Sequence, residues 1–217
     1  MTDNKAKAIR TGFSAVDEVL YTDAGKAGLT ALITRPGIGK TTFLLDIALH
    51  VAEQNKNVCL YSDGSAAKIQ AIAEKKGISE NVRAHLHIFD SFPAKVPAET
   101  SILLIDSRKL PDDHEGFLVR LKKICTEHGI PVLFAFLLSN AKEDLSLSAI
   151  RAKTDAVLVL SRSPYRPDSK TEMMPCTALT YTKSTKHGET TGTDTLYFDS
   201  EKYAFITAEE KTADTCF

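Results

Sequence analysis

Short apolar runs alternate with amphipathic segments along the first 160 residues of the chain. Six runs have the length of β-strands and are almost continuously apolar: Leu29–Ile33, Val58–Tyr61, Leu86–Phe89, Ile102–Ile105, Val132–Leu138 and Ala156–Leu160. Continuous apolarity of this kind is typical of strands that are covered on both faces of a sheet. Between them, the segments 42–53 and 117–124 repeat apolar residues at helical spacing. The alternation predicts an α/β fold with a mainly parallel sheet flanked by helices.

The pattern changes toward the end of the chain. Three strand-like segments follow one another at 178–183, 195–198 and 203–206, and the turn-forming stretches KHGETTG and DSEK separate them. Strands joined by short turns pair antiparallel, so we expect C-terminal antiparallel hairpin strands to complete the sheet. The stretch SPYRPDSKTEMMP, at 163–175, has the composition of a surface loop.

A glycine-rich stretch, TRPGIGKTTF, joins the first predicted strand to the first predicted helix. The Walker A pattern asks for Gly, four residues of any kind and then Gly-Lys-Ser/Thr. Here Thr34 takes the place of the first glycine, and Gly39, Lys40 and Thr41 complete the pattern. Such a loop turns backbone N–H groups toward phosphate oxygens, its lysine reaches the β- and γ-phosphates, and its hydroxyl contacts Mg²⁺. The helix N-terminus that follows also faces the phosphates.

These features predict ATP and Mg²⁺ as the cofactors. The residues expected to bind them in the loop are Arg35, Pro36, Gly37, Ile38, Gly39, Lys40, Thr41 and Thr42. Asp106 follows the buried strand in the stretch SILLIDS. An aspartate at the end of a strand is often only a turn former, but downstream of a phosphate loop it is typical of a Walker B site, which holds a water of the magnesium shell. We therefore expect Thr41 and Asp106 to form the metal site.

The order of these motifs resembles the RecA-like P-loop NTPase domain that forms the motor of DnaB-like replicative helicases. TGFSAVDEVL is similar to the family's TGF/Y…LD segment, and TRPGIGKTTF to its ARPSMGKTTF, which also lacks the first glycine. VCLYS, LLIDS and IPVLFAFLLS resemble its next strand, its Walker B strand and its sensor strand. AIRAKTDAVLVL resembles its SIEQDADLIM, and YTKSTKHGETTGTDTLYFD its closing hairpin. The resemblance implies a RecA-like fold, DNA-linked ATP hydrolysis in DNA replication and a ring of identical subunits.

Two positions near the nucleotide depart from that family's catalytic pattern. Gly64 stands where the family has the glutamate that polarises the attacking water, and Asp63 is the nearest carboxylate. On a strand, this shift of one residue would point Asp63 to the opposite face, so Asp63 can replace the glutamate only if the chain has left strand geometry there. Leu137 replaces the glutamine that senses the γ-phosphate, and a leucine cannot donate a hydrogen bond to phosphate.

The closing hairpin departs as well. In the family it offers a lysine and, two residues later, an arginine to the nucleotide of the neighbouring subunit. Lys183 matches the lysine, whereas Thr185 replaces the arginine and leaves Lys186 as the nearest cation. An arginine finger contributes roughly 10³- to 10⁵-fold in rate. Two hypotheses stay open: a slow DNA-linked ATPase with Asp63, Lys183 and Lys186 as catalytic residues, or a nucleotide-gated binding protein that holds ATP–Mg²⁺ without significant hydrolysis.

Composition narrows the choice of partners. The chain has 27 Lys and Arg against 28 Asp and Glu, so no global basic field attracts nucleic acid or an anionic membrane. Single-stranded DNA would have to be bound locally, and the segment AKEDLSLS, where the resemblance implies a DNA-contacting loop, has one lysine and no arginine. The four cysteines form no metal-ligand pattern, and no apolar run approaches the length of a membrane span. We expect a cytoplasmic protein whose partners are nucleotide, single-stranded DNA or a replication protein, and further copies of itself, with no membrane.

The domain organisation is simple. At 217 residues, 43% of them hydrophobic, the chain is long enough for one substantial core. We expect one ATPase domain over 11–207, between a flexible N-terminus at 1–10 and a flexible tail at 208–217; no N-terminal helical domain precedes it, although the resemblance would imply one. Ser14 and Asp17 have the spacing of a capping box at the start of a short helix.

Overall fold

The structure, a computed structural model, describes residues 9–92, 95–138, 144–161, 177–185 and 188–210. The strands in these ranges are β1 Leu29–Thr34, β2 Asn57–Ser62, β3 Leu86–Phe89, β4 Thr100–Asp106, β5 Val132–Leu137, β6 Ala156–Ser161, β7 Thr177–Thr185, β8 Gly188–Asp199 and β9 Ala204–Thr207. The helices are α1 Ser14–Asp17, α2 Lys40–Ala52, α3 Ala66–Lys75, α4 Glu80–His85, α5 His114–His128 and α6 Asp144–Lys153.

All of these strands belong to a single sheet in the order β3-β2-β4-β5-β1-β6-β7-β8-β9. The six strands from β3 to β6 pair in parallel, and β7, β8 and β9 continue the sheet antiparallel. β1 lies in the middle, with β5 on one side and β6 on the other. The predicted fold class is therefore confirmed: a mainly parallel sheet, flanked by helices and finished by antiparallel hairpin strands.

Both faces of the parallel sheet are covered. Along β4, Ile102 and Leu104 pack into the core on the side of α2, whereas Leu103 and Ile105 pack on the opposite side against α5. All four side chains are fully buried, and burial of each contributes about 1.5–3 kcal/mol. This arrangement explains why the strands are almost continuously apolar in the sequence.

The β7–β8 hairpin is longer than the sequence pattern predicted. β8 begins at Gly188 rather than at Thr195, because backbone pairing with β7 continues outward as far as Thr185. The stretch KHGETTG was therefore wrongly interpreted as a turn; most of it is strand, and it is polar because its side chains are largely exposed. The predicted surface loop at 163–175 lies outside the described residues.

At the N-terminal side, the packed structure already includes Ile9, which is buried, and Arg10, whose backbone exchanges hydrogen bonds with the side chain of Gln54. The expected capping box is wrong. Phe13 is the N-cap residue of α1, and Asp17 accepts hydrogen bonds from the backbone N–H and the hydroxyl of Thr11. Thus Thr11, rather than the cap position, engages the aspartate. In the part of the chain that the structure describes, no helix is both long and apolar enough to cross a membrane.

Candidate nucleotide-binding site

A cavity of about 250 Å³ lies where β1, β2, β4 and β5 end at the same edge of the sheet. Carboxyl ends of parallel strands are the usual place for ligand sites in open α/β sheets. The lining residues come from the loops after these strands and from the start of α2: Arg35, Pro36, Gly37, Gly39, Lys40, Thr41, Thr42, Ser62, Asp63, Ser65, Asp106, Arg108 and Leu137. Of the residues predicted from the glycine-rich loop, only Ile38 differs, since its side chain packs against the core.

The loop between β1 and α2 has the backbone geometry of a phosphate loop. Thr34 is the last residue of β1 and pairs with strands on both sides, so this position does not need the conformational freedom of a glycine. Gly37 and Gly39 do need it, because their φ angles are +80° and +104°. Gly39 is the N-cap residue of α2. The first turn of α2 therefore directs its unpaired backbone N–H groups toward the cavity.

Lys40, Thr41 and Asp106 converge in the cavity. Lys40 and Asp106 are both buried, and the Lys40 ammonium forms an ion pair with Asp106 Oδ1. The same ammonium donates to the backbone carbonyl of Ser107 at 2.7 Å. Asp106 Oδ2 accepts hydrogen bonds from the hydroxyls of Thr41 at 2.7 Å and Ser62 at 3.2 Å. The structure thus joins residues 66 positions apart into one network of charge-assisted hydrogen bonds.

The donor set of this network fits a magnesium ion that is bound together with phosphate. Mg²⁺ prefers oxygen ligands, and proteins usually hold it through one or two carboxylates, waters and the phosphates of the substrate. The Asp106 carboxylate and the adjacent Thr41 hydroxyl are such oxygens. Lys40 must leave the carboxylate to reach phosphate, which would free Asp106 Oδ1 for the metal shell.

Asp63 lies at the rim of the cavity, outside strand geometry. β2 ends at Ser62, and Asp63, Gly64 and Ser65 form a turn in which Gly64 has a φ angle of +65°. The Asp63 N–H donates to the backbone carbonyl of Asp106 at 3.3 Å, and the residue is exposed. The condition under which Asp63 can replace the missing glutamate is therefore met, because the alternation of a strand no longer governs its direction.

Sequence reasoning missed three lining residues: Ser62, Ser65 and Arg108. None of them belongs to a local motif. They could have been found only through the strand order, which places β2 beside β4 and β4 beside β5. Leu137, at the end of β5, does line the cavity, so an apolar side chain occupies the position that the resemblance assigns to a glutamine.

Lys183 lies far from this cavity. It pairs with Ala156 at the start of β6, whereas the phosphate loop follows Thr34, which pairs with Leu160 near the end of β6. Four strand residues separate the two levels, or about 13 Å along the strand. Lys183 is therefore at the opposite edge of the sheet from its own chain's nucleotide cavity.

Lys183 also has partners of its own. Its ammonium donates to the backbone carbonyl of Glu18 at 3.0 Å and forms an ion pair with Asp23 at 3.3 Å. A phosphate from another molecule would have to compete with these contacts. Lys186, the other predicted catalytic cation, lies outside the described residues.

A buried carboxylate connects α2 to the closing hairpin behind the phosphate loop. Asp46 accepts hydrogen bonds from the Phe205 N–H of β9 and from the Lys76 ammonium, both at 2.8 Å. Burial raises the pKa of Asp46, and the contacts with Lys76 and Phe205 lower it by a smaller amount. The Phe205 ring packs edge-on against Phe43 of α2, so β9 is fixed against the helix that begins at the loop.

A parallel sheet with a phosphate-type loop after its central strand, closed by antiparallel hairpin strands, defines a RecA-like α/β fold. Two solved structures share this fold with the chain. One, whose title describes an isolated ATPase domain, matches with a TM-score of 0.58 and 20% identity, over 92% of this chain and 90% of that one. A DnaB-like replicative helicase, described with its interactions with primase, matches with a TM-score of 0.58 and 19% identity, over 91% of this chain and 63% of that one.

At this level of identity the matches show the fold alone, and at that level the resemblance to the motor domain of DnaB-like helicases is confirmed. No protein-family model and no curated protein matches the chain.

Proposed function

We propose that this protein binds ATP with Mg²⁺ in the cavity at the end of β1 and hydrolyses it slowly in a reaction linked to DNA. One observation carries the proposal: Lys40, Thr41 and Asp106, separated in sequence, meet as a buried network beside a glycine-rich loop at a helix N-terminus. Each has the chemistry that its position in a phosphate loop or a Walker B strand requires.

The chain's own groups divide the work as follows. The backbone N–H groups around Gly37 and Gly39 hold the phosphates, and Lys40 moves from Asp106 to the β- and γ-phosphate oxygens. Thr41 and Asp106 position Mg²⁺, which when bound neutralises charge on those oxygens. Asp63, exposed at the rim, orients the attacking water. Asp63 reaches less far than a glutamate, which agrees with slow turnover.

A second function is favoured by Leu137. This leucine lines the cavity where a γ-phosphate sensor would be expected, and Thr185 replaces the arginine that a neighbouring subunit would supply. A site that lacks both donors suits a nucleotide-gated binding protein, in which ATP–Mg²⁺ stabilises one conformation and hydrolysis is negligible. The partner would then be a replication protein rather than DNA alone.

The shared fold supports further parts of the proposal. The protein with the RecA-like fold that is described with primase is a replicative helicase, and we extend from it a role in DNA replication, binding of single-stranded DNA, assembly into a ring and a cytoplasmic location. The near-neutral charge of the chain means that any DNA contact is confined to a small area.

Steady-state ATP hydrolysis with Mg²⁺, with and without single-stranded DNA, tests the proposal. We expect turnover that is lost in Lys40→Ala, increases with DNA, and falls about 10²-fold or more in Asp63→Ala if this carboxylate orients the water. Tight ATP binding with turnover no higher than that of Lys40→Ala would select the nucleotide-gated function. If the wild-type chain bound ATP no better than Lys40→Ala, both functions would be excluded.

A further inference from the structure

Arg108 is an unpaired cation at the nucleotide cavity. It lies two residues beyond Asp106, lines the cavity and is exposed. Within the part of the chain that the structure describes, its guanidinium has neither a hydrogen bond nor an ion pair. The next residue, Lys109, behaves differently: it does not line the cavity, and its ammonium lies 3.6 Å from Asp112.

The bend that carries Arg108 is fixed on both sides. The Ser107 N–H donates to the Ala135 carbonyl of β5 at 2.9 Å, and the Ser107 carbonyl accepts from the Lys40 ammonium. The Ser107 hydroxyl donates to the Lys109 carbonyl at 2.7 Å, which closes the bend around Arg108. The Arg108 backbone is therefore positioned relative to the lysine that reaches the terminal phosphates.

The same edge of the sheet lacks a donor where one is needed. β5 lies between β4 and β1, and its last residue, Leu137, lines the cavity without any group that can bind phosphate. Arg108 extends from the end of the neighbouring strand into the same cavity. A guanidinium presents several N–H donors in a planar fork that matches phosphate oxygens.

We infer that Arg108 binds the γ-phosphate of the nucleotide held in its own chain, and so supplies from the end of β4 the donor that Leu137 cannot supply from the end of β5. The inference rests on the proposed function, since it requires ATP in this cavity. It makes the site sensitive to the third phosphate, so that the chain distinguishes ATP from ADP without a residue from a neighbour.

Equilibrium titration with ADP–Mg²⁺ and with the non-hydrolysable analogue AMP-PNP–Mg²⁺ tests this inference. Arg108→Ala should weaken AMP-PNP binding about tenfold or more, because a hydrogen-bonded charge pair is lost. ADP binding should change by less than about twofold, because the lost contact is with the γ-phosphate. Arg108→Lys should lie between wild type and Arg108→Ala, since it keeps the charge but not the fork.

Lys109→Ala is the matched control, because it removes a neighbouring exposed cation that does not line the cavity; it should leave both affinities unchanged. Equal weakening of ADP and AMP-PNP in Arg108→Ala, or no weakening of either, would overturn the inference and leave the proposed function intact. A wild-type chain that binds neither nucleotide, or a Lys40→Ala variant that binds both as tightly as wild type, would overturn both.

Discussion

The phosphate loop depends on two glycines that are constrained to different degrees. Gly37 and Gly39 both have φ angles in the left-handed region. A Cβ added at Gly37 would meet no atom within 4 Å, whereas at Gly39 it would lie 2.9 Å from Cζ of Phe205. That ring cannot move away easily, because it is buried against Phe43 and Phe198.

We therefore expect Gly37→Ala and Gly39→Ala to differ in their effect on stability. Gly37→Ala should lower the free energy of unfolding by about 1–2 kcal/mol, the cost of a left-handed alanine. Gly39→Ala adds a steric conflict and should cost at least about 1 kcal/mol more. Urea denaturation of both variants measures the difference, and Phe205→Leu should reduce it by removing the opposing ring edge. Equal losses in the two variants would show that Phe205 does not constrain the loop.

The local motif was readable from sequence, and the residues around it were not. Lys40, Thr41 and Asp106 could be predicted because phosphate and magnesium chemistry require particular residue types at fixed spacing. Ser62 and Arg108 have no such spacing, and only the pairing of β2 with β4 and of β4 with β5 brings them to the cavity. Asp63 was ambiguous for a related reason: its direction depends on β2 ending at Ser62, and element ends are the least certain part of a sequence-based prediction.

Strand β9 is attached to helix α2 by a contact whose strength depends on pH. Asp46 of α2 holds the Phe205 N–H of β9 and the ammonium of Lys76. Burial raises the pKa of Asp46 above its ordinary value of 3.8, more than these two partners lower it. The folded chain thus binds this proton more tightly than the unfolded chain does. The stability from this group is fully present below about pH 3.8 and is lost as the pH rises through the folded-state pKa.

Comparison of wild type with Asp46→Asn isolates this effect. Asparagine keeps an oxygen for the Phe205 N–H but does not titrate, so the other carboxylates contribute equally to both proteins. The free energy of unfolding of wild type, relative to Asp46→Asn, should decrease between about pH 4 and pH 7. Urea denaturation at several pH values measures it. An increase over that range would mean that the ion pair with Lys76 outweighs the cost of burial.

Strands buried on both faces could be predicted, and strands held mainly by backbone pairing could not. β3 was predicted to the residue, and β1 and β5 to within one, because their apolar runs coincide with the buried segments. The first seven residues of β8 are polar and mostly exposed. Their hydrogen bonds to β7 fix them in the sheet, and hydrophobic patterning contains no signal for such pairing.

The position of Lys183 bears on whether the molecule works alone. About 13 Å of strand separates this lysine from the level of its own phosphate loop, so it cannot contact a nucleotide in the same chain. In a ring built by head-to-tail contacts, one edge of each subunit faces a different edge of the next. Lys183 can then act only on a neighbour's nucleotide, and Lys40 only on its own.

This division predicts complementation between two inactive variants. Lys40→Ala lacks its own phosphate site but still offers Lys183, whereas Lys183→Ala has an intact phosphate site and offers nothing to its neighbour. In an equimolar mixture that assembles at random, about a quarter of the sites combine an intact loop with a neighbouring Lys183. ATP turnover of the mixture should therefore reach about a quarter of the wild-type value and exceed the mean of the separate variants. Mixing Lys40→Ala with a Lys40→Ala/Lys183→Ala double variant is the control and should give none. A mixture no more active than its components would mean that Lys183, already paired with Asp23, stabilises the contact between β7 and the segment after α1 and serves no neighbouring site.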